Sequence, residues 1–92
     1  MKYITTWAAL PGATAECVEK FLDGEAAPEP DVKVLGRWHK ADASGGFSLS
    51  ETDNPKSIYT SAIKWADLME IHFDIVIDEA DAGPILAAAF KN

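Results

Sequence analysis

The sequence predicts an α+β domain of the ferredoxin-like type, ordered β-α-β-β-α-β with one further helix at the end. Three observations predict it. Stretches of apolar alternation with period two are interleaved with stretches at helical spacing. The first strand is apolar on both sides, as a central strand covered on both faces should be. Pro, Gly, Asp and Asn fall between the stretches, where the chain must turn. Two split βαβ units then close into four antiparallel strands in spatial order 4-1-3-2, with both crossing helices on one face. The 92 residues make a single domain, residues 1–92.

Residues 2–10, KYITTWAAL, form the first strand. Ile4, Ala8 and Leu10 share one side; Tyr3 and Trp7 share the other. Pro11 and Gly12 end it. Thr14 is the expected N-cap of a helix reaching about Leu22, with Cys17, Val18, Phe21 and Leu22 as its apolar stripe and Gly24 as its stop. Residues 25–31, EAAPEPD, read as an acidic connection without chemistry of its own.

Residues 34–52, VLGRWHKADASGGFSLSET, predict a hairpin and hold the densest group of reactive side chains. Unbroken alternation sets Val34, Gly36 and Trp38 against Leu35, Arg37 and His39. It likewise sets Phe47 and Leu49 against Ser48, Ser50 and Thr52. Asp42, Ser44, Gly45 and Gly46 supply the turn, the glycines providing positive φ. Gly36 inside a strand marks a bulge or a close approach.

Thr52, Asp53 or Asn54 caps a second helix with Pro55 in its first turn. Its stripe is Ile58, Ala62, Trp65, Ala66 and Met69. Residues 68–77, LMEIHFDIVI, form the last strand, with Ile71, Phe73, Ile75 and Ile77 opposite Glu70, His72, Asp74 and Val76. Asp78 opens a third helix, interrupted near its start by Gly83 and Pro84, with Ile85, Leu86, Ala89 and Phe90 on its apolar side.

Composition removes several function classes. A net charge of -7 disfavours nucleic acid and anionic membranes, which need clustered Lys and Arg. One cysteine, Cys17, forms no internal disulfide, which fits a reducing compartment. Neither a charged-then-apolar leader nor an 18-residue apolar run is present, so the expectation is a soluble cytoplasmic protein. A domain of this size buries little more than ~60% of its unfolded surface. Its own core is thin, which raises the value of a partner surface.

The pieces TTW (residues 5–7), GRWH (36–39), GGF (45–47), ET (51–52) and WADLME (65–70) resemble a family of small bacterial proteins known only as a domain of unknown function. The chain is similar to the dimeric α+β barrel superfamily, whose members include cofactor-free antibiotic-biosynthesis-type monooxygenases, chlorite-dismutase-like haem proteins and stress-responsive barrels. The resemblance covers nearly the whole chain. It implies a homodimer in which two sheets face each other. It carries over no catalytic residue, and no monooxygenase catalytic pattern is matched.

The expected site is the helix-free face of the sheet, closed by a second copy. The helix-covered face is expected to take Val34, Trp38, Phe47, Leu49, Ile71, Phe73 and Ile75. The free face is expected to take Leu35, Arg37, His39, Ser48, Ser50, Glu70, His72 and Asp74, with Thr5 and Trp7. Desolvation in a closed chamber could tune Arg37, His39 and His72 for proton transfer. Trp7, Trp38, Thr5, Glu70 and Asp74 would contact a ligand. No metal is expected: His39 and His72 lie on opposite edge strands, roughly 14 Å apart at ~4.8 Å per strand, beyond the reach of one ion. No cofactor is expected either, since one His is too little for haem. Ser-His-Asp order, a P-loop and a dinucleotide fingerprint are all lacking. Two function readings follow. One is a homodimer binding a small organic molecule, extending to cofactor-free monooxygenase-like chemistry. The other is a non-enzymatic stress-response or regulatory dimer whose polar sheet face only mediates self-association. No motif decides between a reaction and binding alone.

Overall fold

The computed structural model describes residues 1–91. Four antiparallel strands and three α-helices follow the expected order: β1 (Lys2–Ala9), α1 (Thr14–Lys20), β2 (Lys33–His39), β3 (Gly45–Glu51), α2 (Pro55–Trp65), β4 (Met69–Val76) and α3 (Glu79–Phe90). The sheet order is β2-β3-β1-β4. Read from the other edge, this is 4-1-3-2. Central β1 pairs with β3 through Tyr3↔Ser50, Thr5↔Ser48 and Trp7↔Gly46, and with β4 through Thr5↔Phe73, Trp7↔Ile71 and Ala9↔Met69.

Local chemistry fixes the ends. The Asn54 side chain caps α2, accepting from Lys56 N at 3.1 Å, and Pro55 takes the first turn, where its missing N–H costs nothing. Ahead of α1 the expected cap is replaced. Ala13 occupies the N-cap position without a side-chain hydrogen bond, and Thr14 is the first helical residue. A π-helical turn, Phe21–Glu25, extends α1 and ends at Gly24, whose φ of 85° stops it as expected.

In the hairpin loop, Asp42 Oδ1 accepts from Ser44 N at 3.0 Å and Ser44 Oγ at 2.6 Å. These bonds hold its carboxyl below the usual range. The positive φ expected at Gly45 or Gly46 falls on Ala43 instead, at 63°. The two glycines serve close approach: a Cβ on Gly45 would strike the Trp7 carbonyl, and one on Gly46 would strike the Trp7 indole.

The bulge signalled by Gly36 is present. Register slips between Val34↔Ser50 and Gly36↔Leu49, leaving Leu35 as the extra residue. Beyond it, Arg37 pairs with Ser48 and His39 with Gly46. One extra residue inverts alternation, so Val34, Arg37 and His39 share a face, and Gly36 and Trp38 take the other.

This corrects the face assignment. The helix side of the sheet carries Tyr3, Thr5, Trp7, Arg37, His39, Ser48, Ser50, Ile71 and Phe73. The free side carries Ile4, Thr6, Trp38, Phe47, Leu49, Glu70, His72 and Asp74. Val34, Ile71, Phe73 and Ile75 keep their expected side, whereas Trp38, Phe47 and Leu49 exchange places with Arg37, His39, Ser48, Ser50, Thr5 and Trp7.

The core between sheet and helices is small. Among the described residues only Tyr3, Cys17 and Trp65 are buried apolar or aromatic side chains. Trp65 anchors α2, and Lys20 crosses its ring at 5.0 Å while donating to the Lys64 carbonyl. Cys17 Sγ meets the Leu68 carbonyl at 3.3 Å and fixes α1 ahead of β4. Burial pushes its thiol pKa up, so it remains the inert small apolar group that the sequence suggests. α3 runs unbroken through Gly83 and Pro84, against the expected interruption, and buries none of its residues. It lengthens the molecule to 54 × 30 × 19 Å.

Candidate functional site

The space left by the sparse core is a cavity of about 460 Å³ between the sheet and α1, α2 and the connection to β2. That volume lies within the range of small-molecule sites. Its floor is the middle of the sheet: Tyr3, Thr5, Trp7, Ser48 and Ser50. Thr5, Ser48 and Ser50 are buried, yet buried hydroxyls under helices are unusual unless paired. Among the described residues no fully buried side-chain polar atom lacks a hydrogen-bond partner. Among the described residues the Thr5 and Ser48 hydroxyls have no protein partner, and they open onto the cavity. The Ser50 hydroxyl neighbours Tyr3, whose phenol pKa is raised by burial, with Ser50 opposing the shift.

The aromatic wall is built around His39. Its ring meets Trp7 edge-on at 5.7 Å and Phe21 edge-on at 5.5 Å. Such contacts fix ring orientation at about 0.5–1.5 kcal/mol each. Trp7 is held in turn because Gly46 leaves room for its indole. Arg37 stands beside His39 and donates from Nη2 to the Ala26 carbonyl at 3.1 Å. One bond uses little of a guanidinium with five N–H donors.

The connection 25–31, read from sequence as chemically silent, forms the far wall. Ala26, Ala27 and Pro28 line the cavity. Glu29 pairs with Lys64 at 3.4 Å, and Asp31 accepts from Ser57 Oγ at 2.6 Å. That bond, with a second from Asn54, holds the Asp31 carboxyl below its usual range. The available signal was the excess of carboxylates opposite a helix bearing Ser57 and Lys64.

The sequence-predicted site therefore divides. Thr5, Trp7, Arg37 and His39 meet at one cavity, on the helix side rather than the free face. Trp38, Glu70, His72 and Asp74 lie on the opposite side of the sheet and cannot join them. Expected on the helix-covered face, Trp38 is 51% exposed on the other side and stacks on Phe47 at 5.3 Å. His72 Nε2 meets Glu70 Oε1 at 3.3 Å on the surface. His39 and His72 thus lie on opposite faces of the sheet as well as on opposite edge strands.

The cavity's charge runs against that of the chain. Among the described residues Arg37 and Lys40 line it together with His39 and Glu25, while Lys64, also in the lining, is paired with Glu29, in a protein of net charge -7. Hydroxyls on the floor, indole and phenyl edges on one wall and cations at the rim can hold a flat, anionic organic molecule.

Comparison with known proteins adds the family and little else. No curated protein and no solved structure matches the chain. Residues 1–90 match the model of the domain of unknown function DUF3303, and the chain is a member of that family.

Proposed function

We propose that this protein is a homodimer of the dimeric α+β barrel type that binds a planar aromatic carboxylate in the cavity between its sheet and helices. The observation that carries the reading is the joining of Arg37, His39, Trp7 and the free hydroxyls of Thr5 and Ser48 around one cavity. Arg37 would clamp the carboxylate, since guanidinium and carboxylate match in fork geometry. Trp7 and Phe21, packed on either side of His39, would form the wall that the ligand's ring rests against. Ser48 and Thr5 would bond a ring hydroxyl or carbonyl. His39, held between two aromatics, would be the base that an acidic proton on the ligand meets, which is how cofactor-free oxygenase chemistry would begin. The helix-free face, with Trp38, Phe47, Leu49 and Ile4, would seat the second copy.

The test is a thermal-shift series with benzoate, salicylate and naphthoates, each beside its neutral amide. A ligand at 100 times its Kd adds about 2.7 kcal/mol. For a domain of this size that raises Tm by roughly 10–20 °C. Carboxylates should shift Tm and amides should not. No shift with any of them would overturn the reading and favour a regulatory dimer without a ligand.

A further inference from the structure

The C-terminal helix α3 is the least supported element of the fold. From Ala82 to Phe90 its sequence, AGPILAAAF, holds no polar side chain. A helix apolar all round is ordinarily buried. Here none of it is: Ile85, Leu86 and Phe90 are 64%, 57% and 81% exposed. Alone it would be marginal. Twelve residues are too few for an isolated helix in water, Gly83 weakens it further, and Pro84 removes one of its internal hydrogen bonds. The radius of gyration, 15.8 Å, exceeds the ~12 Å of a compact chain of this length. The excess is the projecting arm.

A second unpartnered apolar surface lies on the same chain. On the helix-free face, Trp38 and Phe47 are 51% and 43% exposed, with Leu49 and Ile4 beside them. The start of the arm is pinned to the sheet by Lys2 Nζ, which meets Asp78 at 3.0 Å.

We propose that α3 is an exchange arm that lies across the helix-free sheet face of a second copy, while that copy's α3 lies across this one. The inference rests on the homodimer part of that reading and changes what fills the interface: the partner's helix in place of the directly facing sheet of the barrel type. Three arguments select a second copy as occupant. A reciprocal exchange about a two-fold axis covers both surfaces at once, whereas an unrelated partner would cover one and leave the other wet. The dimensions agree, since twelve helical residues span about 18 Å and the apolar strip over β2, β3 and β1 is about 10 Å across, with Glu70, His72 and Asp74 of β4 at its edge. The exposed apolar side chains of arm and face together offer an area on the order of the ~800 Å² per partner of a standard stable interface. A lipid surface is the poorer occupant. The arm has no cationic polar face, the chain's charge is -7, and no helix among the described residues is long and apolar enough to cross a membrane.

The test uses the full chain carrying Cys17→Ser, with Leu49→Cys and Ala89→Cys placed in separate preparations. Mild oxidation of the mixture should give a disulfide-linked dimer, and neither preparation alone should give one. Cross-linking of Leu49→Cys with itself would mean that sheets meet directly. Cross-linking of Ala89→Cys with itself would mean that arms pair. Either result, or no cross-link from a chain that light scattering shows to be dimeric, overturns the exchange and leaves the homodimer standing. A parent chain that stays at 9.9 kDa at micromolar concentration, with or without phosphatidylcholine vesicles, overturns both. The double variant Leu86→Asp/Phe90→Asp should raise the dimer dissociation constant at least 100-fold while leaving the circular dichroism of the sheet unchanged; a dimer as tight as the parent would also overturn the exchange.

Discussion

Beneath the helices, where a sheet is ordinarily greasy, lie Thr5, Ser48, Ser50, Arg37 and His39. On the face without helices, where a sheet is ordinarily polar, lie Trp38, Phe47, Leu49 and Ile4. In β2 and β3 the usual partition is inverted, whereas β4 keeps it, with Ile71 and Phe73 under the helices and Glu70, His72 and Asp74 outside; each half of the inversion has a different meaning. Small hydroxyl side chains under a roof make room and leave hydrogen bonds on offer, which a closed core would not tolerate. Large aromatics without a roof lose the hydrophobic gain that would otherwise keep them inside. The first pattern fits a binding floor, and the second fits an interface waiting for its other half.

The contrast is broken most directly by two tryptophans. Trp65→Ala removes a buried ring, 8% exposed, and should lower unfolding free energy by about 3–5 kcal/mol, as large-to-small core changes do. Trp38→Ala should cost under about 1.5 kcal/mol in urea titrations at a concentration where the chain is monomeric, since half of its ring already faces solvent. Its larger effect should be on the concentration dependence of the unfolding midpoint. Equal losses for the two variants in the monomer would mean that Trp38 is core and the faces have been exchanged.

How much of this was legible in the sequence turns on a single residue. Element order, strand count and the neighbours of β1 follow from periodicity and the punctuation of Pro, Gly and Asn. So does the bulge, from Gly36. Its consequence did not follow, because unbroken alternation through 34–39 places Arg37 and His39 opposite Val34, and the extra Leu35 returns them to its side. In β3 the error had another source. Phe47 and Leu49, being apolar, predict the helix side, but the register Tyr3↔Ser50 and Thr5↔Ser48 places the serines there. A sheet with apolar side chains on both faces gives alternation no unique inside. In β4, Glu70, His72 and Asp74 allowed only one choice. The candidate residues Thr5, Trp7, Arg37 and His39 could thus be named while the side on which they meet was misplaced.

Binding separates the faces at the next scale. Arg37→Gln should weaken an aromatic carboxylate roughly 10- to 100-fold, because hydrogen bonds to a charged group contribute about 1.5–3 kcal/mol. His72→Ala, across the sheet, should leave the affinity within about two-fold. Isothermal titration of the two variants measures the difference. Equal losses would remove the distinction between the cavity and the free face.

A smaller effect sharpens the reading of the floor. Ser48→Ala deletes a hydroxyl that no group among the described residues uses. It should cost a hydroxylated ligand about 0.5–1.5 kcal/mol while leaving the Tm of the empty protein unchanged or slightly raised. A fall in the Tm of the empty protein would mean that the hydroxyl holds the fold together and that the polar floor is structural.

The smallest effect concerns the wall over the cavity rather than the floor. Asp31 joins the connection to α2 through Ser57 Oγ at 2.6 Å and through Asn54, and these hydrogen bonds lower its pKa from 3.8. A carboxyl whose folded pKa lies below its unfolded value stabilises the fold above the unfolded pKa and loses that contribution as pH falls through the folded one. The window therefore opens just below pH 4 and runs downward. Asp31→Asn removes this titration, so a plot of Tm against pH should flatten at its acid end, with Asp42 as the remaining contributor from the hairpin loop. Because Asp31 tethers the wall and not the sheet, the variant should leave dimer dissociation unchanged at neutral pH. A dimer that loosens in step with the lost acid limb would place the connection in the interface and erase the division of labour between the two faces.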